Sequence, residues 1–148
     1  LFDKLNDDQL AFVLGHEVGH VAAKHAVKKI QANMAFQLIA IAASSAAGDS
    51  QSPAGSAIDA ASQVYNLVSL GYSRDDEYFA DKLGVKYSMK AGYDPNAAIS
   101  ALEMLKAGDG TNVKVLVYLR THPYVGDRIT RLKELIPQMK GVSNGREK

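Results

Sequence analysis

Two histidines four residues apart, His16 and His20, flank a glutamate in the run GHEVGH at residues 15–20. On an α-helix that separation puts two side chains about 40° apart in azimuth and about 6 Å apart along the axis. Both imidazoles can therefore point at one ion. Zinc takes neutral imidazole nitrogen at about 2.0–2.1 Å, and its catalytic sites combine three protein ligands with a water. Glu17 lies about 100° round from His16, which sets its carboxylate beside such an ion rather than on it. From there it can take a proton from activated water. The alternative is an amphipathic helix that carries these residues without using them. His25 is a contrast: on a continuous helix it lies about 140° from His20 and about 180° from His16. It reads as a surface or core histidine.

The element that must position these residues is a long helix, NDDQLAFVLGHEVGHVAAKHAVKKI, residues 6–30. Asn6 or Asp7 can cap it, and Lys28 and Lys29 come late, where they suit the helix dipole. Leu10, Val13, Leu14, Val18, Val21 and Ala22 recur at spacings of three and four and predict its apolar face. The pattern continues weakly through Ala47 and breaks in GDSQSPAG, residues 48–55, a loop composition. A further helix is predicted over Ser56–Leu70. GYSRDDEYFADKLGVKYSMKAG is another, with Ser73 and Asp76 as a capping box and Gly92 as its stop. YDPNAAISALEMLKAG repeats the grammar with Asp94 as cap, Pro95 at the first helical position and Gly108 after the end. VKVLVYLR is ambiguous between strand and helix. VGDRITRLKELI is amphipathic and expected to stop at Pro137. The expected organisation is one mostly helical core over residues 1–140 and a disordered tail at 141–148.

Composition narrows the field. Of 148 residues 47% are hydrophobic and 22% charged, with net charge +1, an ordinary globular balance with no electrostatic reason to expect nucleic acid or anionic membrane. The absence of cysteine excludes disulfides and thiolate ligands. The weakly polar run MAFQLIAIAASSAAG is too short and too rich in Ala and Ser to span a bilayer. The chain begins at Leu1 rather than Met and reads as a processed or trimmed piece, any targeting segment being out of view.

A catalytic zinc site still needs a third protein ligand, which here must be His, Asp or Glu. HEVGH, followed by SRDDEYFAD at 73–81 and then THP at 121–123 with Arg128 shortly after, resembles the HtpX-like and Oma-like zinc endopeptidases, metallopeptidase family forty-eight. The Ste-type CAAX prenyl endopeptidases also belong there. The resemblance runs from about Asn6 to Leu135. It implies a mostly helical, zincin-like core with one zinc per chain, held by His16, His20 and Glu77, and Glu17 as general base. It also implies a small sheet whose edge strand binds extended substrate. That sheet is not expected within these residues: either it lies in an upstream segment, or this is a core whose substrate cleft is incomplete.

Glu77 and Asp81 lie four apart on one helical face, so one carboxylate can reach the ion and the other a ligand histidine. Such a partner fixes the imidazole tautomer and raises its basicity. The bland alternative is two solvated acids pairing with Arg74 and Lys82. Pro123 forces His122 out of helical geometry, onto a corner that the resemblance sets beside the active site. His122 is then a turn histidine, an imidazolium that stabilises developing negative charge, or a fourth ligand that blocks the water position. Arg128, one turn on, is expected to hold the corner by pairing with an acid.

The resulting expectation is an endopeptidase acting on misfolded or partly unfolded protein, in the bacterial periplasm or cell envelope by resemblance. The rival is a non-catalytic zinc module closed by His122.

Overall fold

The computed structural model describes residues 5–47, 71–107 and 113–144. Among them are six helices and no strand: α1 (Asp7–Ala22), α2 (His25–Ala47), α3 (Arg74–Lys90), α4 (Ala97–Ala107), α5 (Val113–Thr121) and α6 (Val125–Asn144). The mostly helical reading holds. The loop expected at 48–55 and the helix expected at Ser56–Leu70 lie outside the described residues. The chain forms two compact units, Leu1–Ala23 with Tyr72–Lys148, and Lys24–Gly71.

In the first unit, local chemistry sets the helix starts. Asn6 caps α1 by accepting from the Gln9 backbone N–H at 2.9 Å, and Gln9 Oε1 accepts from the Asn6 N–H at 3.1 Å. Ser73 and Asp76 form the capping box of α3, satisfying amide donors that the first turn leaves without partners. The Asp94 side chain accepts from the Asn96 N–H at 3.0 Å, and α4 begins just beyond, at Ala97. Gly92, at φ +87°, follows the end of α3, a left-handed backbone that glycine adopts without penalty.

The buried face of α1 only partly follows its apolar spacing: Val13 is buried as expected, but most of the stripe is not. Leu14, Val18 and Val21 are 54%, 53% and 77% exposed, whereas Phe12, Val13, His16 and His20 are buried. What turns this side inward is a pair of glycines against α3. A methyl group on Gly15 would sit 3.0 Å from the Gly84 carbonyl oxygen, and one on Gly84 3.0 Å from the His16 nitrogen. The two backbones touch, and the histidines are carried in with them. A count of apolar side chains misses a face built from glycine and histidine.

The core around this contact joins Phe12 and Val13 to Val85 of α3, Ala98, Ala101, Leu102 and Leu105 of α4, and Ile129, Leu132 and Ile136 of α6. Val115 of α5 reaches it as well, with Tyr118 and Leu119 packed against it. The ambiguous VKVLVYLR segment is thus helical, from Val113. Pro137 does not stop α6, which runs on to Asn144. Proline inside a helix costs about 3 kcal/mol. Here the turns on either side bury Ile136 and pack the partly buried Met139 on the core, and full burial of one such side chain contributes roughly 1.5–3 kcal/mol. Packing wins, so residues 141–144 of the expected tail are helical; residues 145–148 lie outside the described set.

The expected single helix over residues 6–30 breaks at Ala23–Lys24, where the units meet in sequence. Lys24 takes a left-handed backbone, φ 57°, without the glycine or proline that would announce a break. The continuous-helix argument for His25 therefore fails. In the second unit, buried His25 opens α2, and Lys29 Nζ donates to the Gly71 carbonyl at 2.9 Å.

Candidate metal centre

Three elements supply the site. α1 carries His16, Glu17 and His20, α3 carries Glu77 and Asp81, and the corner between α5 and α6 carries His122 ahead of Arg128. His16, His20, Glu77 and His122 are all buried and offer one ligand atom each, all lying within 4.8 Å of one another. His25 is not among them.

The individual spacings test whether the four would suit zinc. His16 Nε2 lies 3.1 Å from His20 Nε2 and 3.3 Å from His122 Nδ1. Glu77 Oε1 lies 3.3 Å from His20 Nε2 and 3.1 Å from His122 Nδ1. Bonds of about 2.0–2.1 Å at tetrahedral angles separate neighbouring ligand atoms by about 3.3–3.4 Å. Four of the six pairs among these three imidazole nitrogens and one carboxylate oxygen stand near that spacing, and all six lie within 4.8 Å. The donor set fits the ion.

Behind them lies a second layer. Asp81 Oδ1 is 2.8 Å from His16 Nδ1. Arg128 Nη2 is also 3.3 Å from that nitrogen, but one ring nitrogen cannot donate and accept at once, and the shorter contact assigns the proton to the Asp81 bond. His16 therefore presents the lone pair of Nε2 to the cluster. Arg128 forks onto Asp81, donating from Nε at 2.8 Å and Nη2 at 2.7 Å. Its Nη1 faces Glu77 Oε2 at 2.6 Å, close as an ion pair yet out of line for a hydrogen bond, and among the described residues neither atom has a hydrogen-bond partner. Arg128 thus binds two acids and not only the corner. Asp81 and Glu77 are not solvated surface groups; Arg74 instead pairs with Asp127 at 3.5 Å.

These contacts set the charges. Burial pushes the Glu77 carboxyl up, but hydrogen bonds from His122 and His20 and the charge of Arg128 together prevail, leaving it at about 2. Burial likewise opposes ionisation of Asp81, and His16 and Arg128 outweigh it. Burial lowers His16 more than its Asp81 hydrogen bond raises it, which favours the neutral imidazole that metals bind. Burial alone would lower the Arg128 pKa, and Asp81 more than offsets that.

Glu17 is 44% exposed at its side chain, with Oε1 3.5 Å from His122 Nε2. It stands beside the four donor atoms and not among them, as the 100° offset requires.

Two aromatic residues that the motifs did not mark complete the site. Tyr72 stacks on His20 with ring centroids 4.0 Å apart, and Tyr118 on His122 at 4.4 Å. Tyr118 is four residues before His122, a helical spacing the sequence does contain; nothing in the sequence alone singles out Tyr72.

Asp81→Asn is expected to weaken zinc retention by roughly tenfold to a hundredfold, the usual scale for losing a partner behind a ligand histidine. Chelator competition measures it, and an unchanged affinity would reduce Asp81 to a structural partner of Arg128.

Comparison with known proteins bears on this geometry. Peptidase family M48 matches residues 1–136. The chain is similar to the mitochondrial metalloendopeptidase OMA1 of Schizosaccharomyces pombe, 31% identical over 89% of this chain and 37% of that protein. It is similar to the metalloprotease YcaL of Escherichia coli K12, 27% identical over 92% of this chain and 52% of the relative. A putative beta-barrel assembly-enhancing protease of Vibrio cholerae is 32% identical over 87% of this chain and 28% of its own length. The chain thus spans about half or less of each of these relatives. No solved structure gives a significant match. The match over nearly the whole chain places it in Peptidase family M48, a family of metalloproteases.

Proposed function

We propose that this chain is the core of a zinc-dependent endopeptidase, with one zinc held by His16, His20 and Glu77 and with Glu17 as general base. The observation that carries the reading is the cluster of four buried ligand atoms with Glu17 at its edge. Zinc bound there would polarise a substrate carbonyl and acidify water. Glu17 accepts the proton of the attacking water and returns it to the departing amine. Asp81 holds His16 in the tautomer that frees Nε2, and Arg128 keeps Asp81 and Glu77 ionised.

His122 takes a further role in the resting protein: fourth ligand. Its Nδ1 lies as close to the cluster as the other donors do, while its Nε2 faces Glu17. One side chain thus covers both the water position and the base, and substrate must displace it. This arrangement favours a reversibly closed enzyme over a free imidazolium that waits for developing charge. It also joins the catalytic reading to its rival, the closed module.

Misfolded or partly unfolded proteins are the proposed substrates, and the bacterial envelope the proposed setting. A relative named for β-barrel assembly supports the setting, and others are named as mitochondrial. No helix among the described residues is long and apolar enough to cross a membrane.

Metal analysis and casein digestion test the proposal. The protein is expected to carry one zinc, to cleave casein, and to stop when chelated. Glu77→Ala should lose the metal, and His122→Ala should keep it and digest faster. Absence of zinc after reconstitution would sink the metal reading, and a fall in rate in His122→Ala would sink the closed state.

A further inference from the structure

His122 lies just past the last residue of α5, yet it keeps the helical turn: its N–H donates to the Tyr118 carbonyl at 2.8 Å. Pro123 follows, Tyr124 takes a left-handed backbone at φ 64°, and the Arg128 N–H donates back to the Tyr124 carbonyl at 2.9 Å. The corner is fixed from both sides by the last turn of α5 and the first turn of α6. What freedom remains to His122 lies in its side-chain torsions. Any movement out of the cluster is a rotation of the imidazole.

One group lies flat against that imidazole. The Tyr118 ring stacks on it with centroids 4.4 Å apart and planes 22° from parallel. The two residues are four apart, where neighbours on a helix meet face to face. Tyr72 contacts the same imidazole at 5.4 Å and 42°, but its stack is on His20. The polar neighbours of His122, at 3.1 Å on Glu77, 3.3 Å on His16 and 3.5 Å on Glu17, all address its ring nitrogens. They fix where the nitrogens go. The plane is fixed by stacking, and an offset stack of this kind is a preferred aromatic arrangement.

We propose that Tyr118 is a positioning residue that clamps His122 in the fourth ligand position, so that the stack on α5 sets how readily the site opens. The inference rests on the preceding reading of His122 as the resting fourth ligand. Tyr118 touches neither substrate nor metal and acts through His122 alone. Because His122 covers both the water position and Glu17, loosening this one stack uncovers the two together.

The test uses the whole protein loaded with cobalt(II), whose visible spectrum reports the ligand set, and zinc affinity by chelator competition. Four proteins are compared: wild type, His122→Ala, Tyr118→Leu and Tyr118→Phe. Tyr118→Phe keeps the ring and should match wild type in spectrum and, within about twofold, in affinity. Tyr118→Leu should take on the spectrum of His122→Ala and lose roughly tenfold to a hundredfold in zinc affinity, the scale for residues that orient a ligand. Should Tyr118→Leu lose helix content by circular dichroism, Tyr118→Met, a longer and more adaptable side chain without a ring, replaces it. A ringless variant with the wild-type spectrum, alongside a changed His122→Ala, overturns the clamp and leaves the fourth ligand standing. A Phe variant that shifts as far as the Leu variant overturns it too, since the hydroxyl would then be the active part. An unchanged spectrum in His122→Ala shows that His122 is no ligand, and the clamp falls with that reading.

Discussion

Glu17→Gln is expected to abolish nearly all hydrolysis while the protein retains its zinc. Glutamine has the size of glutamate but no basic oxygen to accept a proton from water. General bases of this kind contribute typically 10²–10⁴-fold, so the rate should fall by at least the lower end of that range. Metal content should not follow, because Glu17 is offset round α1 from the four donor atoms. Its half-exposed carboxylate touches His122 and is not a neighbour of the core, so stability should change little. Paired assays decide it: peptide cleavage for the rate, elemental analysis for the metal. Near wild-type cleavage would remove Glu17 from the mechanism, and loss of zinc would make it a ligand.

Arg128→Met should show the largest loss of stability. The guanidinium is fully buried, forks onto Asp81 and faces Glu77. Removing one partner of a buried ion pair typically costs 3–5 kcal/mol, because the remaining charge is left without compensation. Here two carboxylates would be left, in a fold of a size usually stable by about 5–15 kcal/mol. Urea unfolding measures the loss, and a change under about 1 kcal/mol would show that the pair is not coupled to folding. The same carboxylates give a pH signature. Glu77 is held at about 2 against an ordinary 4.5, and Asp81 below its ordinary 3.8. A depressed carboxylate binds protons less well folded than unfolded, so its contribution is complete above the ordinary value and is lost as pH falls through it toward 2. Protein stripped of metal by chelator should therefore lose stability in acid below about pH 4.5, and Arg128→Met should flatten that dependence.

Much of the site was legible because its spacing is chemical. His16, Glu17 and His20 are tied by one helix, and a separation of four residues has a single geometric meaning there. Glu77 and Asp81 share a second helix, where the same rule applies. What sequence periodicity could not supply was which helix faces meet. The apolar stripe of Leu10, Val13, Leu14, Val18, Val21 and Ala22 was the natural choice for the buried side, and the structure buries Val13 of it together with the glycine and histidine side, leaving Leu14, Val18 and Val21 exposed. The break at Lys24 and the passage of α6 through Pro137 were hidden as well. At Pro137 packing against segments distant in sequence overrides local preference by a few kcal/mol, and at Lys24 no glycine or proline announces the left-handed residue. Tyr118 was legible in spacing but not in purpose, since an aromatic residue one turn before a histidine is usually only core.

The contact between Gly15 and Gly84 has a bearing on which ions the protein will accept. Helices separated by side chains can ease apart when leucines or methionines change rotamer. Here backbone meets backbone, between the helix that carries His16 and His20 and the one that carries Glu77, with only the Phe12 ring edge beside the contact at Gly84. The gap is set like a fixed gauge. Calcium asks for six to eight oxygens at about 2.3–2.6 Å, a shell that would require the helices to part and break their closest packing. Small ions content with four nitrogen and oxygen donors fit without that cost. In the proposed centre, part of the preference for a small four-coordinate ion would thus come from two residues that have no side chain with which to touch it.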